Sequence, residues 1–194
     1  MMKTPFFFSI LALSLTFAFA ADPVSAISQN DKELQTLLKK KSLTKQDNER
    51  VKGLLSDVFN FKLLAEKSLP KETWSSLDEA SKQSFAAEFQ RMVRNSSAKR
   101  LEMYRTDSTI YDAPKMKKNN TEANVTAHLW FKGKESVLVY KMTLVDGNWM
   151  AWDLVIDDLS TARNYKEQFS TILKTKSFAE LLEIIKKKAD ETEG

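Results

Sequence analysis

The chain has 194 residues, 42% of them hydrophobic and 29% charged, with a formal net charge of +4; this length fits one domain. With only four Gly and four Pro, it is a poor match for an all-β sandwich full of tight loops, or for a disordered or collagen-like chain. A single His and no Cys exclude disulfides, thiolate metal sites, Cys nucleophiles and lipid-anchored lipoproteins, and leave imidazole chemistry almost nothing to work with.

Lys3 gives a short basic start, and Phe6 to Ala20 is uncharged and overwhelmingly apolar. The run closes on Ala18-Phe19-Ala20, a small-x-small pattern, ahead of Asp22, Pro23 and Ser25. Residues 1–20 therefore read as a cleaved secretory signal peptide. A run of fifteen residues falls short of the ~20 that a membrane-spanning helix needs. A cut after Val24-Ser25-Ala26 is the weaker alternative. Residues 21–194 form the single mature domain, with 29 basic and 26 acidic side chains. That excess is too small to imply a nucleic-acid partner, and a Cys-free exported chain suits a bacterial periplasm. Asn95, Asn119 and Asn124 sit in glycosylation-type spacings, which acquire meaning only in a eukaryotic secretory pathway.

Up to Tyr104 the periodicity is helical. Asp31 to Lys41 carries Leu34, Leu37 and Leu38; Thr44 with Asp47 resembles a cap for Val51, Leu54, Leu55 and Val58. Phe59-Asn60-Phe61 leads into Leu63, Leu64, Ala65 and Leu69, and Pro70 suits the first turn of a short helix through Trp74. Ser76-Leu77-Asp78-Glu79 reads as a capping box. It opens a long helix whose apolar stripe runs Phe85, Phe89, Met92, Val93, Ser96, Leu101, Tyr104. The small polar residues Asn95-Ser96-Ser97 interrupt that stripe.

After Arg105 the period becomes two. Ser108 to Asp112 is a short strand ended by Pro114 and the Lys115–Lys118 stretch, and Val125, Ala127, Leu129 and Phe131 alternate with polar neighbours. Leu138, Tyr140, Met142 and Leu144 make a third strand, and Met150, Trp152, Leu154 and Ile156 a fourth. Between them, Gly147 suits a three-residue loop, which would set these even-numbered residues opposite one another on one apolar face. Ser160 can cap a helix bearing Tyr165, Phe169, Ile172 and Leu173, and Ser177 with Glu180 forms a second capping box before Leu181 to Ile185. The fold class is α+β: N-terminal helices, a twisted antiparallel sheet of about four strands, and C-terminal helices.

Chemistry is scarce. His128 lies on the polar side of its strand as a solvated residue without an evident partner, and no Gly-rich phosphate loop, Gly-x-Ser-x-Gly or His-Glu-x-x-His pattern occurs. The pairs Asp107/Asp112 and Asp157/Asp158 read as solvated strand ends. Asp153 falls inside a hydrophobic strand and needs a hydrogen-bonding or cationic partner if buried, which makes it a structural anchor. The runs Lys39–Lys41, Lys115–Lys118 and Lys186–Lys188 lie at element ends; their functional reading is weak attraction to an anionic membrane or acidic partner. The large side chains Trp74, Phe85, Phe89, Tyr140, Trp152 and Phe169 suit either a core or an apolar pocket.

Asn148-Trp149-Met150-Ala151-Trp152-Asp153-Leu154-Val155-Ile156-Asp157-Asp158-Leu159-Ser160, followed by Asn164-Tyr165-Lys166-Glu167-Gln168-Phe169, resembles the MlaC-type family of periplasmic phospholipid-binding proteins. That family shows Trp-x-x-aromatic-Asp, Glu-Gly-Val-Ser and Asn-Tyr-Arg-x-x-Phe features in this order. Trp74, Gln83, Phe85, Phe89, Leu101 and Tyr104 fall where its upstream features lie. Departures are Asp158 for Gly, Leu159 for Val, Lys166 for Arg, Pro70 for the Gly of a Leu-Gly step, and Ser97 for a Tyr that is common on the long helix. The resemblance implies a non-enzymatic, monomeric carrier without cofactor. It would shuttle phospholipid between an outer-membrane lipoprotein complex and an inner-membrane ABC transporter to maintain lipid asymmetry, its acyl chains in an apolar cavity between sheet and helices. Parity and stripe then nominate the lipid-binding residues: Trp74, Phe85, Phe89, Val93, Ser97 and Leu101 from the helices, Tyr140, Met142, Trp152 and Leu154 from the sheet, and Phe169. The competing readings are a periplasmic chaperone or interaction protein without lipid cargo, and an enzyme on a cone-shaped α+β fold. The intact mass of the exported protein is expected to correspond to residues 21–194; a mass retaining residues 1–20 would refute the signal peptide.

Overall fold

The computed structural model describes residues 22–98 and 104–191, so the expected signal peptide, the distal end of the long helix and Leu101 lie outside the described residues. Helices come first: α1 (Pro23–Leu38), α2 (Lys45–Ser56), α3 (Phe61–Lys67), α4 (Lys71–Ser76) and α5 (Glu79–Ala98). Then come β1 (Ser108–Tyr111), β2 (Lys115–Lys117), β3 (Glu122–Phe131), β4 (Lys134–Val145), β5 (Asn148–Ile156) and β6 (Leu159–Ser160). Helices α6 (Thr161–Leu173) and α7 (Phe178–Glu191) follow. The α+β order matches the expectation; the strands beyond the expected four, β2 and β6, span three and two residues.

Side-chain caps set most helix starts. Asp22 accepts from the Val24 and Ser25 N–H groups just ahead of Pro23, so α1 begins a full two turns before the expected Asp31 start. A cut after Ala26 would remove that cap, whereas a cut after Ala20 preserves it. The Thr44/Asp47 and Ser177/Glu180 boxes both form, and Ser160 accepts from the Arg163 N–H. Ser76 does not cap the long helix. It ends α4, its hydroxyl donating to the Thr73 carbonyl at 2.8 Å. Leu77 is extended, and the Asp78 carboxylate instead accepts from the Ser81 N–H at 2.7 Å, where the helix dipole favours its negative charge.

The sheet is antiparallel, in the order β1-β3-β4-β5-β6, with β2 also paired to β3. Between β4 and β5, Val145 pairs with Asn148 across a two-residue turn, Asp146–Gly147, whose φ angles are +49° and +80°. This corrects the expected three-residue loop: two left-handed residues match the twist of the flanking strands, and Asp-Gly is a preferred pair for them. The register then shifts. Met142 pairs with Ala151 and Lys141 with Asp153, leaving Trp152 as the extra residue of a bulge. Beyond it Tyr140 faces Leu154 and Leu138 faces Ile156. The expected even-to-even pairing therefore holds only past the bulge; before it, Leu144 faces Trp149. A bulge reverses strand parity, so both halves of β5 put apolar residues on the face that β4 buries.

Helices cover that face in three clusters. Ile27 of α1 packs on Ala123, Val125, Met142, Trp149 and Ala151. Leu34, Leu38, Val51 and Leu54 join α1 to α2. The third cluster unites α3, α5, α6 and α7 around Phe61, Leu64, Phe85, Phe89, Phe169, Leu181 and Ile185. The α2–α3 link ties the helical layer to the sheet: the Asn60 N–H donates to the Ala151 carbonyl and the Ala151 N–H to the Val58 carbonyl, both at 2.7 Å.

His128 does have partners. Glu135 lies 2.7 Å from Nδ1 and Asp112 3.5 Å from Nε2, and the ring stacks on Trp130. Glu135 foremost, then Asp112, raises the imidazole pKa above its ordinary 6.5. The resulting stabilisation is present below that value and lost as pH rises through the raised one.

Asp153, only 1% exposed, also gains the partners its position demands. Its carboxylate accepts from Ser160 Oγ at 2.7 Å, the Ala162 N–H at 2.9 Å and Lys141 Nζ at 2.9 Å. Asp153→Ala is expected to cost about 3–5 kcal/mol, because it leaves buried donors and a partly buried ammonium without their acceptor. Urea denaturation checks this; a loss under about 1 kcal/mol would refute the anchor.

Candidate functional site

The three clusters meet without closing on one another, and a cavity of about 250 Å³ remains at their junction. Each contributes to its wall: Ile27 from the first, Leu34 and Leu54 from the second, Phe61 and Leu64 from the third. The sheet supplies Leu129, Leu138, Tyr140, Leu154 and Ile156, and α5 supplies Val93, Ser96 and Ser97. Ser96 and Ser97 are the residues that interrupt the apolar stripe of α5. Larger side chains there would occupy the space, so the break in the pattern and the void have one cause.

The pairing past the bulge decides which sheet residues reach this wall. Leu138 and Tyr140 on β4 lie opposite Ile156 and Leu154 on β5, and all four line the cavity. Before the bulge, Met142 and Ala151 are buried under Ile27. The polar groups on the wall belong mostly to neutral side chains. Tyr140 is half-buried, and burial raises its phenol pKa, so its hydroxyl stays protonated. Thr161 Oγ1 donates to the Leu154 carbonyl at 2.8 Å. Asp31 is the exception, with Tyr111 O–H donating to its Oδ2 at 3.1 Å.

Of the nominated residues, Val93, Ser97, Tyr140 and Leu154 come together on the cavity wall. Phe85, Phe89 and Phe169 do not line it. They form the aromatic centre of the helical cluster, with Phe85 and Phe89 fully buried and ring centroids 5.7–5.8 Å apart among the three. Trp74 packs against that same cluster from its edge. Met142 is buried on the sheet beneath α1. Trp152, the bulge residue, is half-buried with Lys141 Nζ 5.3 Å from its ring centroid. Leu101 lies outside the described residues.

Sequence reasoning left out the wall that α1, α2 and the segment after α2 build: Ile27, Asn30, Asp31, Leu34, Leu54, Leu55 and Val58. Leu34, Leu54 and Leu55 were legible as helix stripes, but helical periodicity does not separate a stripe packed on a neighbour from one facing a void. Leu138 and Ile156 were recoverable, since strand parity places them with Tyr140 and Leu154.

Comparison with known families identifies one that covers most of the chain. The profile of the family described as MlaC protein matches residues 28–187. The phospholipid-binding protein from Ralstonia solanacearum, solved in complex with a phospholipid, has a similar fold. The TM-score is 0.75 at 18% identity, over 90% of this chain and 100% of that one. No curated protein sequence matches at a significant level.

The geometry separates two kinds of aromatic position. Phe89→Ala, in the cluster centre, is expected to cost about 3–5 kcal/mol in chemical denaturation. A cost below about 1 kcal/mol would show that Phe89 is not a core residue.

Proposed function

The chain belongs to the MlaC family, and from that premise we propose that it is a periplasmic phospholipid carrier. The observation that carries this reading is the cavity at the junction of the three apolar clusters, with a wall of Leu, Ile, Val, Phe and Tyr side chains from both layers. Such a wall suits acyl chains, whose removal from water gains about 0.8 kcal/mol per CH₂. The phospholipid held by the Ralstonia protein of similar fold supports the same ligand class. No described helix is long and apolar enough to cross a membrane, and export by a signal peptide would place the mature chain between two membranes. In this reading it takes lipid from an outer-membrane lipoprotein complex or an inner-membrane ABC transporter and delivers it to the other, maintaining outer-membrane lipid asymmetry. Binding, rather than turnover, is the function.

At about 250 Å³, the cavity exceeds the ~150 Å³ that holds benzene in an engineered core. It is smaller than the ~300–1,000 Å³ of pockets that enclose whole drug-sized ligands. Housing a complete diacyl lipid therefore requires the walls to part.

Native mass spectrometry of the purified protein is expected to show phospholipid bound at a stoichiometric level. Leu154→Trp, which fills the cavity from the sheet side, is expected to reduce bound lipid several-fold with little change in the thermal melt. Lipid-free protein from a membrane-rich host, or suppression of client aggregation without lipid, would favour the chaperone reading instead.

A further inference from the structure

Among the described residues, Asp31 is the single charged side chain on the cavity wall, which carries no Lys, Arg or His. The same residue lines a second, more open groove of about 580 Å³ between α1 and β1. Most of the residues that line that groove are polar, among them Lys32 and Gln35 of α1, Lys39 just past its end, and Thr106, Asp107 and Thr109 at β1, with Val24 and Tyr111 beside them. An apolar chamber and a groove bordered mostly by polar residues thus meet at Asp31.

Asp31 is fixed in that wall. Tyr111 O–H donates to Oδ2 at 3.1 Å and Gln35 Nε2 to Oδ1 at 3.3 Å. Burial, and then the Asp31 charge, raises the Tyr111 pKa, so the phenol remains a donor. Gln35 is itself braced, donating to the Tyr104 carbonyl at 2.7 Å and accepting from the Thr106 N–H at 3.2 Å. Thr109 Oγ1 is buried at the groove with no hydrogen-bond partner. Asp107 adds a second carboxylate, already accepting from the Lys132 N–H at 2.7 Å.

Acyl chains in the chamber bring a charged headgroup to this shared wall. A headgroup with only negative charge meets Asp31 with no cation on the cavity side, and like charges in contact disfavour binding. A zwitterionic headgroup can set its ammonium against Asp31 while its phosphate turns to the exposed Lys32 and Lys39. We propose that the α1–β1 groove receives the lipid headgroup and that Asp31 is a specificity-determining residue, selecting phospholipids with a cationic amine over net-anionic ones. The inference rests on the carrier reading and names its substrate class.

The test offers delipidated protein vesicles of equal dioleoyl phosphatidylethanolamine and dioleoyl phosphatidylglycerol, and counts bound lipid by native mass spectrometry. The unaltered protein is expected to favour phosphatidylethanolamine by up to about fivefold, the scale of one solvent-accessible ion pair. Asp31→Asn is expected to bring the ratio close to one. Lys32→Glu, an exposed change that adds negative charge to the groove, is expected to lower phosphatidylglycerol uptake further. This second variant tests the groove, and Asp31→Ser, which also removes the charge, tests Asp31 if Asp31→Asn does not fold. Equal or reversed uptake by the unaltered protein would overturn the proposal, as would an unchanged ratio in any folded, lipid-loaded variant. Uptake of neither lipid by the unaltered protein would overturn the carrier reading itself.

Discussion

A buried carboxylate organises this fold. Asp153 holds Lys141 on β4, Ser160 at the end of β6 and the Ala162 N–H at the start of α6. A charge so deeply buried is tolerable only when its lone pairs are engaged, so these contacts are conditions of one another. Together they set the register of β4 against β5, turn the chain through Asp157–Asp158 and launch α6. The turn itself places both Asp residues at positive φ, +46° and +67°, a conformation that Asp tolerates better than most non-Gly residues.

The bulge beside Asp153 has a second consequence. A two-residue turn and an uninterrupted ladder would have sent Leu154 and Ile156 to the face away from the helices. The inserted Trp152 returns them to the buried side, opposite Tyr140 and Leu138. Sheet-side cavity wall and structural anchor therefore come from one irregularity. The helical layer answers with a rigid aromatic centre in which Tyr165 meets Phe89 edge-on at 4.8 Å and Phe169 at 5.5 Å. Tyr165 also lines the cavity, so the packed cluster and the void share a side chain.

A molecule that binds by apolar burial needs shape more than reactive groups, and the chain's poverty in His and Cys is consistent with that. Its polar resources go elsewhere: to helix caps, to the Asp153 anchor, and to the seam where Asp31, Tyr111 and Gln35 join α1 to β1. The lysine runs also differ once placed. Lys118 and Lys186 pair with nearby Glu122 and Glu183 and Lys40 with Asp47, while Pro114, Lys115 and Lys117 sit along the sheet edge that β1 and β2 leave open. Charge and Pro at such an edge discourage another strand from adding to it.

Local signals alone determined much of this protein. Period-three-to-four stripes mark the helices, period-two alternation marks the main strands, and Thr44, Ser160 and Ser177 mark three helix starts, because caps and amphipathic faces depend on residues a few positions apart. The resemblance carried by Asn148 to Phe169, with upstream features from Trp74 to Tyr104, pointed to the family. Tertiary structure alone decided which apolar residues pack and which face a void. Phe89 and Val93 share a helix face, yet one is fully buried in a cluster and the other borders the cavity. Sequence could not show the bulge that moves Leu154 into the wall, since the Asp146–Gly147 turn and the Asp153 anchor demand opposite parities and only an inserted residue satisfies both. Nor could it show that Asp31, on a helix joined to β1 only through long-range contacts, stands where an apolar chamber meets a groove bordered mostly by polar residues. Cavities are differences between packed surfaces, and a difference is invisible until every surface is in place.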